Sequence, residues 1–417
     1  MQVGLKCSLS DAHIDATQPN NQRQVAISIS AIPDAIGRDA PLNLCLVLDQ
    51  SGSMEGRSLS TVKQAAQRLI ERLSPGDRIS IVAFNHKAKV LLRNQIVDDP
   101  QRLRVPIESL EASGGTAIDE GLRLGIEESA KGKKDAISQI FLLTDGENEH
   151  GDNDRCLKLA QVATGHGISI SSLGFGNYWN QDVLEKIADA GGGALSYIEA
   201  PDQATMEFRR LFDRAQSIGL TNAFLTVSLA SGTRLAELKP IAQVSPDAIE
   251  LSAQQDGDQV SVRLGDLMTD SPRIVLVNLY VNQLPEGRNT IAYMQVRYDD
   301  PAFKQEGLYS ESFPIEIAAQ STYQPATDPT VGQHILALAK YRQTQIAETK
   351  LQQGDRQGAA TMLQTAAKTA LQMGDRGAAT VLQSSATQLE SGGELSEADK
   401  KKTRLVSKTI LNSGDSE

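Results

Sequence analysis

A chain of 417 residues exceeds what a single hydrophobic core ordinarily supports, so two or three domains are expected. Its 40% hydrophobic and 22% charged residues read as soluble and globular. The 41 basic and 52 acidic residues give a net charge of −11, which argues against nucleic acid or an anionic membrane as the main partner, since phosphate binding needs concentrated positive charge.

The N-terminal stretch carries no signal-peptide core, and no window approaches 18 apolar residues. Cys7, Cys45 and Cys156 are scattered, odd in number and without zinc spacing. A cytoplasmic protein with no membrane segment is the expectation.

In chain order, residues 3–32 alternate in the manner of half-buried antiparallel strands: Val3, Leu5, Cys7 and Leu9, then Val25, Ile27 and Ile29, with a polar loop over 17–22 between. Residues 33–41, with Pro33, Gly37 and Pro41, read as a linker. The apolar run 42–48 then stops at Asp49-Gln50-Ser51-Gly52-Ser53-Met54. Its length fits a strand covered on both faces. Helical spacing follows at Val62, Ala65, Ala66, Leu69, Ile70 and Leu73, stopped by Ser74-Pro75-Gly76-Asp77. A strand over 79–84 has a hairpin partner over 87–92, and a short helix covers 100–110. The loop Ser113-Gly114-Gly115-Thr116 leads into an amphipathic helix over 118–129. The second apolar strand, 137–144, ends in Asp145-Gly146. Helices over 156–164, 182–190 and 201–217 alternate with strands over 168–173 and 194–198. Strands and helices at this spacing mean a doubly wound, mostly parallel sheet, an α/β fold.

From about Thr221, strands return without helices: 224–229, 249–252, 260–264, 274–281, 290–297 and 311–317. They predict an antiparallel β-sandwich, and the N-terminal strands belong with it by type. The expected division is therefore residues 1–41 and 218–322 for the sandwich, 42–217 for an inserted α/β domain, and 326–417 for a helical C-terminal domain. Within that last domain Leu351-Gln352-Gln353-Gly354-Asp355-Arg356 recurs as Leu371-Gln372-Met373-Gly374-Asp375-Arg376, a helical hairpin with glycine ending one helix and aspartate capping the next. It is shorter than a tetratricopeptide unit and lacks its aromatics. The end from Val406 onward reads as frayed.

Asp49-x-Ser51-x-Ser53 has two readings, a cap for the following helix or a set of hard oxygen ligands at the carboxyl edge of the sheet. Thr116 and Asp145 fall at successive loops of the same unit and favour the ligand reading. With those five positions in order, residues 42–217 resemble the von Willebrand factor A (vWA) domain family and its metal ion-dependent adhesion site. The flanks resemble, more loosely, inter-α-trypsin-inhibitor-heavy-chain-like and bacterial vWA proteins.

The resemblance implies Mg²⁺ held by the hydroxyls of Ser51, Ser53 and Thr116, with Asp49 and Asp145 acting directly or through water. Mn²⁺ and Ca²⁺ are the alternatives. It further implies a protein partner whose Asp or Glu completes the coordination, and a closing helix near 206–218 that moves on ligation. The function this implies is a non-enzymatic adaptor or scaffold, with the helical tail as a docking or oligomerisation element. A Mg²⁺-dependent hydrolase or phosphotransfer enzyme is the alternative, disfavoured by the lack of a P-loop, a Gly-x-Gly-x-x-Gly or a nucleophile elbow. An accessory subunit of an AAA+ ATPase is another.

Residues 147–154 look like a solvated acidic rim. His86, His150 and His166 look isolated, while Tyr178 and Trp179 stay open between core and site. Asp49→Ala is expected to leave the fold intact, the residue being at a strand end and outside the core.

Overall fold

The computed structural model describes residues 1–33, 40–99 and 101–409. Most of the linker, the first residue of the expected helix over 100–110 and the last eight residues of the chain lie outside them.

The α/β part is one six-stranded sheet in the order Ala88–Ile96, Arg78–Phe84, Leu42–Asp49, Ile137–Thr144, Ile168–Phe175, Gly192–Ile198. Only the hairpin pair Arg78–Phe84 and Ala88–Ile96 is antiparallel. Leu42–Asp49 lies centrally, and all eight of its residues are buried because helices cover both faces. Leu44, Leu46 and Leu48 point to the side packed by helices Arg57–Ile70 and Ala204–Gln216. Cys45 and Val47 point to the side packed by Ile118–Gly132, Asn153–Gly165 and Gln181–Ala190. Alternation of faces along one strand thus divides the domain into two apolar layers.

Two sheets form the sandwich, antiparallel throughout except that His13–Asp15 pairs parallel with Phe313–Gln320. One runs Gln2–Leu9, Asn20–Ile32, Arg273–Asn282, Ile241–Ser245, Ile249–Glu250. The other runs Ala253–Asp256, Gln259–Met268, Ile218–Leu229, Gly287–Asp300, Phe313–Gln320, His13–Asp15. Both contain N-terminal strands, so the α/β unit is inserted in the sandwich. Short strands at His13–Asp15, Thr233–Leu235, Ile241–Ser245 and Gln305–Tyr309 escape the sequence reading, and Asn20–Gln22, read as loop, belong to a strand.

Among the described residues four helices, Pro329–Gln352, Arg356–Gln372, Arg376–Glu390 and Glu397–Lys408, make the C-terminal part. Gly354 and Gly374 end helices at φ of 80° and 81°, where L side chains are strained, and the carboxylates of Asp355 and Asp375 accept from Gly358 and Ala378 N–H. Residues 406–408, expected to fray, complete the last helix, with Ser407 and Lys408 buried. Among the described residues no helix is long and apolar enough to cross a membrane.

Candidate metal centre

The central strand delivers Asp49 to the carboxyl edge, and the chain turns at once through Gly52–Met54. Met54 is wholly buried in the apolar layer and pins that turn. The loop at 113–116 is stitched to it: Gly52 N–H donates to Gly114 O at 2.8 Å, and Ser113 N–H to Gln50 O at 2.8 Å. The third loop arrives on the neighbouring strand Ile137–Thr144. The Cβ position of Gly146 lies 3.2 Å from Thr116 Oγ1 and 3.8 Å from Ser53 Oγ.

All five sequence-selected oxygens therefore come together. Ser51 Oγ and Ser53 Oγ are 3.0 Å apart, and Ser53 Oγ donates to Asp145 Oδ1 at 2.6 Å. Asp49, Ser51 and Thr116 are buried, Asp145 is 9% exposed, and Ser53 opens to solvent. The pocket thus has a closed floor and one wet side.

Asp49 is fully buried, contrary to the expectation that it lies outside the core. Its Oδ1 accepts from Ser51 N–H at 2.7 Å and its Oδ2 from Thr144 Oγ1 at 2.5 Å. Burial pushes its carboxyl up to about 6; the hydrogen bonds oppose this, and the charge of Asp145 adds to it. Burial raises Asp145 as well. Among the described residues neither carboxylate forms an ion pair, and no cluster of three or more His, Cys, Asp or Glu side chains is arranged for a metal. A donor set of two carboxylates and three hydroxyls is all oxygen, the set preferred by small hard dications rather than by zinc or copper.

Sequence reasoning misses the residues that hold the donors. Thr144 looks like a core strand residue, yet its hydroxyl orients Asp49. Asn85 ties its own turn to the loop at 113–117, its Nδ2 donating to Ser113 O at 2.8 Å and its backbone carbonyl accepting from Ala117 N–H at 2.7 Å. Asn148 is buried and accepts from Ile118 N–H at 2.7 Å, so residues 147–154 are not wholly a solvated rim. Asp152 in the same stretch caps the helix Asn153–Gly165. His86 and His150 are not isolated from each other: their rings lie 6.4 Å apart over Gly114 and Gly115. Trp179 is core, 3% exposed, while Tyr178 is 85% exposed.

A parallel sheet with this turn at its carboxyl edge is the architecture of a von Willebrand factor type A domain, and residues 43–211 match that family model. Residues 329–413 match the model of the Sll0103-like C-terminal alpha-helical domain. The sll0103 protein of Synechocystis sp. is 58% identical over 411 residues, covering 99% of this chain and 98% of that one. The chain belongs to the Sll0103-like family of vWA proteins.

Inter-alpha-trypsin inhibitor heavy chain H4 of Bos taurus is 25% identical over 314 residues, covering 72% of this chain and 32% of that protein. A solved von Willebrand factor type A protein from Catenulispora acidiphila shares the fold across 98% of this chain and 97% of its own, with a TM-score of 0.81 at 18% identity. The ArnB paralog VWA2 from Sulfolobus acidocaldarius covers 98% of each chain with a TM-score of 0.61 at 16% identity.

Proposed function

We propose that the chain is a metal-dependent protein-interaction module. Asp49, Ser51, Ser53, Thr116 and Asp145 hold Mg²⁺, with Mn²⁺ or Ca²⁺ able to use the same oxygens, and an Asp or Glu of a partner protein completes the site. The observation that carries this reading is the convergence of three hydroxyls and two buried carboxylates that no cationic side chain faces among the described residues. When bound, the dication supplies an electrophilic anchor for a carboxylate.

The chain's own residues do the rest. Thr144 and the Ser51 amide fix both oxygens of Asp49, so the deepest donor is oriented in advance. Hydroxyl donors add no negative charge, which leaves the site attractive to an anionic ligand. Ser53 stands on the open side, where a partner side chain can reach. Three free cysteines, two of them buried, fit a reducing compartment such as the cytoplasm.

Calorimetric titration with Mg²⁺, Mn²⁺ and Ca²⁺ tests the reading, wild type against Ser51→Ala/Ser53→Ala. Binding is expected in the wild type and lost in the double variant. Partner capture is expected only with metal, and is expected to fail when the partner's acidic residue is changed to its amide. Equal metal affinity in both proteins would sink the assignment.

A further inference from the structure

The last helix, Glu397–Lys408, lies against the vWA domain rather than free at the end of the chain. Lys402 pairs with Glu199 at 2.8 Å, Arg404 pairs with Asp182 and Glu185, and Lys408 lies 2.9 Å from Glu185 and 2.7 Å from Asp189. Lys401 is 2% exposed. Its ammonium donates to Asn177 O at 2.6 Å and lies 4.2 Å from the centre of the Trp179 ring.

Trp179 leads back to the metal centre. Its ring fills the space a side chain on Gly174 would take: a Cβ there would be 2.1 Å from Trp179 Cε2. Its indole N–H donates to Gly176 O at 2.7 Å, which fixes the ring beneath the loop. Gly174 is the registered neighbour of Thr144 across the parallel pair. Thr144 donates to Asp49. Four consecutive contacts thus join the C-terminal helix to the deepest carboxylate of the centre. Each link is a packed or hydrogen-bonded pair with little room to yield.

We infer that docking of the helix Glu397–Lys408 and cation binding at the candidate centre are thermodynamically coupled, with Lys401 and Trp179 as positioning residues that hold the strand bearing Thr144, and through it Asp49. This rests on the metal-binding reading of the centre. A docked helix keeps Trp179 seated and Asp49 oriented, and a cation that needs Asp49 oriented favours the docked helix. Linkage makes the two effects equal in size.

The test uses the full chain. Arg404→Glu/Lys408→Glu reverses charge at the end of the helix away from Trp179 and should release the helix. Mg²⁺ affinity by calorimetry is expected to fall at least about fivefold, the low end of ordinary coupling. Trp179→Ala should weaken Mg²⁺ binding similarly, while Trp179→Phe, which keeps a ring over Gly174, retains it. Reciprocally, hydrogen exchange of amides in 397–408 of the wild type should slow when Mg²⁺ saturates the site. That measurement needs no substitution and decides the matter if the charge-reversed variant does not fold. Unchanged Mg²⁺ affinity with freely exchanging 397–408 amides, or wild-type exchange indifferent to Mg²⁺, overturns the coupling alone. Absence of any Asp49-dependent Mg²⁺ binding in the wild type overturns the coupling and the interaction reading together.

Discussion

The ammonium of Lys340, wholly buried, lies 3.0 Å from Asp375 Oδ2, and it also donates to the carbonyls of Val406 at 2.8 Å and Thr409 at 3.1 Å. One lysine therefore ties the cap of the helix Arg376–Glu390 to the end of the last helix. Burial lowers the Lys340 pKa, and Asp375 opposes that shift. Lys340→Met leaves Asp375, 8% exposed, without its cation and removes the ammonium from the two carbonyls. Breaking a buried pair from one side costs about 3–5 kcal/mol. Urea denaturation should show a loss of that order. A loss below about 1 kcal/mol, the worth of an exposed pair, would show that the tie carries little.

Glu348 supplies a pH dependence. Burial in the cleft between the long helix and the vWA domain pushes its carboxyl up to about 7, with Arg404, 3.8 Å away, working against the shift. The folded state therefore holds a proton that the unfolded state, titrating near 4.5, has released. The stabilisation this brings is complete below about pH 4.5 and is lost as pH rises through about 7. Glu348→Gln removes that dependence. The difference in melting temperature between variant and wild type should be near zero at pH 5 and favour the variant at pH 8. A difference constant with pH would mean that Glu348 is ionised in the folded protein throughout.

How much of this was readable from residues alone depends on how local each signal is. The strand Leu42–Asp49 is legible because eight buried positions and an abrupt Asp-x-Ser-x-Ser stop lie in one stretch. The five site oxygens are legible because each ends a strand or sits in a loop. The short strands Thr233–Leu235 and Ile241–Ser245 are not, since three to five residues show no period and are held by Arg273–Asn282 rather than by their own pattern. Thr144 hides for a related reason, because a hydroxyl in an apolar strand gives no hint of which carboxylate it faces. Lys400, Lys401 and Lys402 look like a solvated charge run, and nothing nearby in sequence announces that Lys401 meets Trp179. Long-range pairing decides these cases, and sequence spacing carries no record of it.

Two glycines on the helix Ile118–Gly132 set how closely it lies on the sheet. A Cβ on Gly121 would fall 2.6 Å from Phe84 Cδ1, and one on Gly125 2.5 Å from Val47 Cγ2. Alanine gains about 1 kcal/mol of helix propensity over glycine, whereas overpacking a core costs about 1–3 kcal/mol. Gly121→Ala and Gly125→Ala should each destabilise on balance, and the pair together more so. Gly332, on the helix Pro329–Gln352 with nothing within 4 Å of its Cβ position, is the control. Gly332→Ala should raise the melting temperature. The same gain at Gly121 would show that the helix can lift off the sheet without penalty.

Asp49 is where the structural role of the centre and its proposed metal-binding role can be told apart. Asp49→Ala strands the buried Ser51 amide, at about 1–3 kcal/mol for the lost acceptor, and leaves the Thr144 hydroxyl only the longer bond to Gly146 O at 3.4 Å. Asp49→Asn keeps an acceptor in place and removes a buried charge that faces Asp145 without a cation. In chelator at pH 7.5 the asparagine variant should therefore melt at or above the wild type, and the alanine variant well below it. Adding Mg²⁺ changes the order. A ligand at a hundred times its Kd stabilises the folded state by about 2.7 kcal/mol, so the wild type should rise past both variants while neither of them moves. Scanning calorimetry of the three proteins with and without Mg²⁺ gives the comparison. An Asp49→Asn protein that rises with Mg²⁺ as far as the wild type would remove Asp49 from the ligand set and leave it a purely structural carboxylate.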